Sequence, residues 1–191
     1  MLIAVFYCII ATAALDASPT LNTHSYSSLQ RTQWLFAAWD ARLRAPRSLD
    51  RPQRILSFGC SVGFELLVLA ERYPNASSIV GTDLKFAPDA TAQVVGAAAL
   101  LAEAKALTAH EPRISLVPPG ELDALRGTFD VIVCNFVLYQ FLAQRQFDEL
   151  MTLWLTLLRE RGMLIVTHYT AVQSSGSGRK RKFDHRVILA W

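Results

Sequence analysis

The stretch of sequence that decides the fold runs from Arg54 to Leu84 and reads RILSFGCSVGFELLVLAERYPNASSIVGTDL. It opens with a short apolar run that ends at Gly59, which is typical of a buried parallel strand. A helical segment begins after Gly63 and is stopped by a Pro-Asn pair, and a second apolar run then ends at Asp83. The stretch therefore predicts a strand, a glycine loop, a helix and a second strand, in that order.

The loop between the first strand and the helix has the features of a ligand-binding loop. Its glycines and small residues allow the backbone to pass close to a ligand, where any Cβ would clash. Asp83 follows about 20 residues later at the tip of the second strand, where an acid accepts the ribose hydroxyls of a nucleotide. We therefore predict a site for an adenosine-containing ligand.

The details of this loop discriminate between ligands. A dinucleotide-binding loop has a third glycine, so that a pyrophosphate can sit on the helix N-terminus, and that glycine is absent here. Glu65 lies in the first helical turn, where its carboxylate would repel a pyrophosphate but can hold an ammonium group. S-adenosylmethionine carries an ammonium and no phosphate. The pattern thus favours S-adenosylmethionine and disfavours a nicotinamide-dependent oxidoreductase.

The segments ILSFGCSVGFE and FDVIVCNFVLYQF resemble the class I S-adenosylmethionine-dependent methyltransferases, over roughly residues 54–170. The first segment is most similar to the chemotaxis-receptor methyltransferase branch, which has a serine at the position of Ser57, where most other branches have an acid. Two departures from that branch make a protein-glutamate substrate doubtful. Phe64 replaces the first acid of its GEE sequence, and Asn135-Phe136 replaces its Arg-Asn pair.

The resemblance implies a role for individual residues. Glu65 would lie near the cofactor's ammonium, and Asp83 would accept both ribose hydroxyls. Leu84 and Leu122 would pack against the adenine, and Asn135 would line the floor beneath the methyl group. The complete set of cofactor-binding residues that we predict is Gly59, Cys60, Ser61, Gly63, Glu65, Asp83, Leu84, Glu121, Leu122 and Asn135.

Some of these roles have alternatives. Glu121 either faces the adenine amino group or begins a short helix, ELDAL, where the helix dipole favours an acid. Methyl transfer is a displacement on an activated carbon, so that holding the reactants in line can suffice without a catalytic acid or base. The candidate bases are Tyr139, His168 and His185. His168 is the best placed, at the end of a predicted fifth strand, although a structural hydrogen-bonding role for it stays open.

Helices and strands alternate along the rest of the chain, which predicts an α/β fold. We expect a Rossmann-like, doubly wound, mostly parallel sheet with helices on both faces, and an abbreviated C-terminal hairpin. An apolar stripe on the last predicted helix (Phe147, Leu150, Met151, Trp154 and Leu158) indicates core packing. The further predicted elements are an alanine-rich helix over 87–110, a strand over 113–117, a strand over 129–134, a helix over 143–159 capped by Gly162, and a strand over 163–168.

Composition narrows the class of protein. The 191 residues are 52% hydrophobic, which is enough for one domain with a substantial core. The net charge of +3 gives little reason to expect a nucleic-acid partner. Three cysteines without CxxC spacing argue against a disulfide framework or a zinc site, and the chain has no other metal-binding motif. We therefore expect no metal.

The chain divides into a hydrophobic leader over 1–17 and a methyltransferase-like domain over 27–191, which includes a flexible basic linker over 173–183. Three interpretations of the leader stay open: a signal or anchor segment, a hydrophobic helix packed on the domain, and a misassigned start. Membrane association through residues 1–15 is open for the same reason. Because the cofactor is cytosolic, we expect a cytoplasmic protein.

The function that the sequence predicts is S-adenosylmethionine-dependent methyl transfer to an unidentified small-molecule or protein acceptor. The alternative is a catalytically inactive methyltransferase-like module that binds or scaffolds. Tyr26, Trp34 and Trp39, on and before a predicted helix over 29–44, either line the acceptor pocket or pack that helix on the sheet.

Overall fold

The computed structural model describes residues 54–87, 96–135 and 144–167, which contain a five-stranded, wholly parallel sheet. The strand order is β3-β2-β1-β4-β5, in which the order reverses at β1. This is the Rossmann-like α/β arrangement that the sequence predicts. The strands are β1 (Arg54–Phe58), β2 (Ser78–Thr82), β3 (Ile114–Leu116), β4 (Phe129–Asn135) and β5 (Leu158–Thr167).

Within the described residues, three α-helices and two 3₁₀ segments lie between these strands. The first helix begins directly after the left-handed Gly63 and ends before Pro74, as the sequence predicts. The helices are α1 (Phe64–Arg72), α2 (Ala97–Thr108) and α3 (Gln144–Leu157), and the 3₁₀ segments are Leu84–Phe86 and Pro119–Leu125. None of the described helices is long and apolar enough to cross a membrane.

The core forms two layers, one on each face of the sheet. Successive side chains of a strand point to opposite faces. Ile55 therefore belongs to the layer that includes Leu66 of α1 and Leu100 of α2, whereas its neighbour Leu56 belongs to the layer with Trp154 of α3. Helices thus cover both faces, as expected for a doubly wound sheet.

The carboxyl ends of the parallel strands meet at one edge of the sheet. In the strand register, Phe58 at the end of β1 lies beside Thr82 of β2 and beside Cys134 of β4. Because the strand order reverses at β1, the connection after β1 runs to one face of the sheet and the connection after β4 runs to the other. The two connections diverge and leave a crevice between them, where open α/β sheets bind ligands. The glycine loop after β1 and Asn135 at the end of β4 are thereby brought to the same edge.

The prediction of one helix over 87–110 is wrong at its start. Ala87 has extended backbone angles, and the helix begins only at Ala97. Gly96, immediately before it, has a φ of +87°, which a right-handed helix cannot contain. The alanine-rich composition indicated helix correctly for 97–108, but it did not reveal this boundary.

The prediction that Gly162 caps the last helix is also wrong. Helix α3 ends at Leu157 and passes directly into β5, because its last carbonyls accept hydrogen bonds from the chain before β4. Gly127 donates to the Thr156 carbonyl at 2.9 Å, and Thr128 donates to the Leu157 carbonyl at 3.1 Å. Residues 159–162 form an irregularity in the pairing with β4, and Gly162 lies inside the strand.

Several predictions concern residues outside the described part of the chain. These are the leader over 1–17, the helix over 29–44 with its aromatic residues, the linker over 173–183, and the abbreviated C-terminal hairpin.

Candidate functional site

The loop after β1 is fixed to the end of β2 by its own backbone. Gly59 and Cys60 both donate to the Thr82 carbonyl, at 2.7 and 3.0 Å, and Gly63 donates to the Cys60 carbonyl at 3.0 Å. The loop turns through left-handed conformations, with φ of +82° at Gly59, +53° at Ser61 and +94° at Gly63. Glycine adopts such angles at little cost. The sequence prediction of a glycine loop between the first strand and the first helix is therefore confirmed.

Gly63 has a second reason to be a glycine. A Cβ added there would lie 3.1 Å from Thr108 Cγ2, at the end of α2. A neighbouring helix thus approaches closely at this position. The approach of the loop to a ligand stays a prediction.

Asp83 joins the loop to the end of β2. One carboxylate oxygen, Oδ2, accepts a hydrogen bond from the backbone N–H of Ser61 at 3.0 Å, and Oδ1 accepts one from Lys85 N–H at 3.0 Å. A carboxylate offers about four lone-pair positions, so these two bonds leave acceptor capacity for the hydroxyls of a ribose. Asp83 therefore shapes the loop, and its binding of a ribose stays a prediction.

Glu65, in the first turn of α1, is a buried carboxylate with only 8% of its surface exposed. Ser57 of β1 donates its hydroxyl to Glu65 Oε1 at 2.5 Å, and the Asn135 amide donates to Glu65 Oε2. Three of the residues that the sequence singles out thus meet in one cluster at the carboxyl edge of the sheet. The sequence did not predict the bonds between them.

The pKa of the Cys60 thiol is affected by its burial and by both acids. Burial raises the pKa of its thiol well above the ordinary value, and the carboxylates of Asp83 and Glu65 raise this pKa further. The thiol is therefore protonated and unreactive at neutral pH. Among the described residues, Cys60 and Cys134 are buried thiols that form no disulfide. Both act as small apolar residues beside the loop.

The three residues predicted to lie near the adenine differ in their exposure. Leu84 is half-buried in the 3₁₀ segment after Asp83. Glu121 is exposed on the second 3₁₀ segment, and Leu122 beside it is fully buried in the core layer that includes Trp154. Contacts of these residues with a ligand stay predictions.

The candidate bases Tyr139, His168 and His185 lie outside the described residues. Within the described ranges, no three His, Cys, Asp or Glu side chains are arranged to hold a metal ion.

A family model for a methyltransferase domain matches residues 29–187, which is most of the chain. The chain belongs to the methyltransferase domain family. This membership and the fold confirm the prediction of a class I S-adenosylmethionine-dependent methyltransferase. They do not support the finer assignment to the chemotaxis-receptor branch.

The proteins that this chain matches are longer than the chain itself. An uncharacterized protein of Rickettsia prowazekii is 30% identical over 117 residues, which cover 61% of this chain and 43% of that protein. A crystal structure of a putative O-methyltransferase from Nostoc punctiforme superposes with a TM-score of 0.53 at 18% identity, covering 77% of this chain and 38% of that one.

A second structure with a similar fold was solved with ligands. Phosphoethanolamine N-methyltransferase 1 of Haemonchus contortus, in complex with phosphoethanolamine and S-adenosylhomocysteine, superposes with a TM-score of 0.50 at 15% identity. The match covers 83% of this chain and 36% of that one. The methyltransferase chain described here thus spans less than half the length of these three relatives.

Proposed function

We propose that this methyltransferase binds S-adenosylmethionine at the loop after β1 and transfers its methyl group to a small-molecule or protein acceptor. The observation that carries the proposal is the pair of carboxylates, Glu65 and Asp83, held on either side of that loop. The crystallisation of the Haemonchus relative with S-adenosylhomocysteine supports the choice of cofactor.

The chemistry of the two acids fits this cofactor. Glu65 accepts hydrogen bonds from two neutral donors, Ser57 and Asn135, and a carboxylate at this position attracts an ammonium group. Asp83 retains acceptor capacity for a ribose diol. Two carboxylates at one loop would repel a phosphate, which disfavours NAD. The cofactor itself supplies a methyl group activated by its sulfonium.

In this proposal, the residues of the chain position the cofactor. The hydrogen bonds of the loop to Thr82 and Asp83 fix the backbone on which the methionyl end would lie. Holding an acceptor and a methyl group in line can supply on the order of 7–11 kcal/mol of the barrier. A base from Tyr139 or His168 would assist acceptors that must lose a proton.

The finer similarity to the receptor-methylating branch is not part of the proposal. It rests on the loop, whereas Phe64 and Asn135 depart from that branch at positions beside the loop. We infer a cytoplasmic site of action, because the cofactor is cytosolic, and we leave open the role of residues 1–15.

Calorimetric titration with S-adenosylmethionine, and separately with NAD, tests the proposal. Glu65→Gln and Asp83→Asn should each weaken S-adenosylmethionine roughly tenfold to a hundredfold, since a hydrogen bond to a charged group is worth about 1.5–3 kcal/mol. Asp123→Asn is the matched control, because this acid is exposed and pairs with Arg126, three residues away in the sequence. Circular dichroism of Asp83→Asn is needed as well, because Asp83 also holds the loop.

Two results would contradict the proposal: tighter binding of NAD than of S-adenosylmethionine, or unchanged S-adenosylmethionine affinity in both variants. Binding without turnover on a panel of amine, hydroxyl and carboxyl acceptors would favour the inactive binding module instead.

A further inference from the structure

The carboxylate of Glu65 is placed unusually deep for a group that meets a ligand. It lies in the first turn of α1, where the helix dipole favours a negative charge, yet 92% of its surface is removed from water. Burying a charge is costly unless it is hydrogen-bonded. The donors around Glu65 therefore determine where its charge is held.

Ser57 is the donor on the first side. Its hydroxyl lies 2.5 Å from Glu65 Oε1, at the short end of the range for a hydroxyl bonded to a carboxylate. Ser57 is fully buried, and its backbone is paired with Gly81 of β2 on one side and with Val133 of β4 on the other. This donor therefore has little freedom to move.

Asn135 is the donor on the second side. Its amide bonds the other oxygen of Glu65, Oε2, from the carboxyl end of β4, 70 residues further along the chain. Each oxygen of one carboxylate thus has a donor from a different strand. Two such bonds fix the plane of the carboxylate as well as its position.

We propose that Ser57 and Asn135 are positioning residues that hold the Glu65 carboxylate in the orientation that receives the cofactor's ammonium group. The negative charge of this cluster thus comes from α1, and β1 contributes a neutral donor. The proposal rests on the proposed function, since it takes Glu65 as the partner of the ammonium. We name the three residues Ser57, Glu65 and Asn135 the carboxylate clamp.

Measuring the binding of two ligands distinguishes a positioning role of Ser57 and Asn135 from a general structural role. S-adenosylhomocysteine contains the ammonium group, whereas 5′-methylthioadenosine retains the adenosine and lacks the amino-acid end. Ser57→Ala and Asn135→Ala should each weaken S-adenosylhomocysteine roughly threefold to thirtyfold by calorimetry, in line with the loss of one hydrogen bond to a charged group. The affinity for 5′-methylthioadenosine should change less than about twofold. Ser57→Thr retains the hydroxyl and should restore the affinity for S-adenosylhomocysteine.

A double-mutant cycle adds a second readout. In a Glu65→Gln background, Ser57→Ala should have almost no further effect on S-adenosylhomocysteine binding, because the two residues act through one carboxylate. Asp123→Asn serves again as the control that changes neither ligand. Asn135 is only half-buried at the end of its strand, so that Asn135→Ala keeps the test valid if Ser57→Ala does not fold.

The outcomes are distinct. Equal weakening of both ligands in a folded variant, additive effects in the double-mutant cycle, or no weakening at all would overturn the clamp and leave the proposed function standing. A folded wild-type protein that binds neither ligand would overturn both.

Discussion

Gly81 of β2 shows how tightly single residues are packed beside the loop after β1. A Cβ added to Gly81 would lie 2.6 Å from Leu66 Cδ1, 2.9 Å from Leu116 Cδ2 and 3.0 Å from the Cys60 sulfur. These atoms belong to α1, β3 and the loop itself. The missing side chain therefore lets three separate parts of the fold approach β2.

We expect Gly81→Ala to lower the free energy of unfolding by about 1–3 kcal/mol, because the added methyl group overpacks this contact. Gly120→Ala is the matched control: nothing lies within 4 Å of a Cβ at that position, and the change should stay within about 0.5 kcal/mol. Urea denaturation of both variants measures the difference. Equal stabilities would show that the neighbours of Gly81 relax freely.

At the scale of single residues, the sequence predicted those candidate site residues that lie close together along the chain. The loop glycines, Glu65 and Asp83 all fall within one stretch of the chain, and their spacing indicated a ligand with an ammonium and a ribose. The partner of Glu65 on β4 is 70 residues distant, and only the strand register brings it close. No periodicity in the sequence shows such a bond.

Among the elements, α3 depends on one large side chain. Trp154 is fully buried and meets the ring of Phe58 on β1 edge-on, with ring centroids 5.4 Å apart and planes at 78°. This is the favoured geometry for an aromatic pair. The contact joins α3 to β1, the strand that leads into the glycine loop.

Trp154→Ala should therefore lower the free energy of unfolding by about 3–5 kcal/mol, through the lost burial and the cavity. Trp154→Phe should cost less, since the indole N–H has no hydrogen-bond partner among the described residues. The neighbouring Leu155 is 42% exposed, and Leu155→Ala should change stability by less than about 1 kcal/mol. Thermal and urea unfolding would compare the three, and a Leu155→Ala loss as large as that of Trp154→Ala would contradict this account.

Element types were predicted well from hydrophobic patterns, and element ends less well. The apolar stripe indicated that α3 packs on the core, and Leu150 and Trp154 are indeed buried. Gly162 was assigned to the wrong element because glycine commonly follows a helix, whereas here the carbonyls of α3 are satisfied by Gly127 and Thr128. That solution is a tertiary contact, which local composition does not encode.

Across the whole molecule, Arg113 ties the start of β3 to the end of α1. Its guanidinium bonds the Glu111 carboxylate at 2.6 and 2.8 Å and also donates to the carbonyls of Ala70, Tyr73 and Pro74. The hydrogen bonds from Arg113 lower the pKa of Glu111 from 4.5 to about 2. This contact lies away from the carboxylate clamp and concerns folding alone.

The lowered pKa makes stability depend on pH. The contribution of Glu111 is fully present above pH 4.5, its ordinary pKa, and is lost as the pH falls towards 2. Glu111→Gln should therefore be less stable than the wild type at pH 7, and the two should converge near pH 2. Urea unfolding across pH 2–7 measures this, with Glu103→Gln, an exposed acid of α2, as the control. A constant difference at all pH values would contradict the assignment.

The direct passage of α3 into β5 has a consequence for how the molecule opens. Because Thr156 and Leu157 accept hydrogen bonds from Gly127 and Thr128, the last turn of the helix cannot fray without also detaching the chain that leads into β4. Most helix ends exchange their amide hydrogens early through such fraying. Here the amides of residues 127–128 and those of the last turn of α3 should exchange as one cooperative unit, at a rate closer to that of the sheet than to that of a helix terminus.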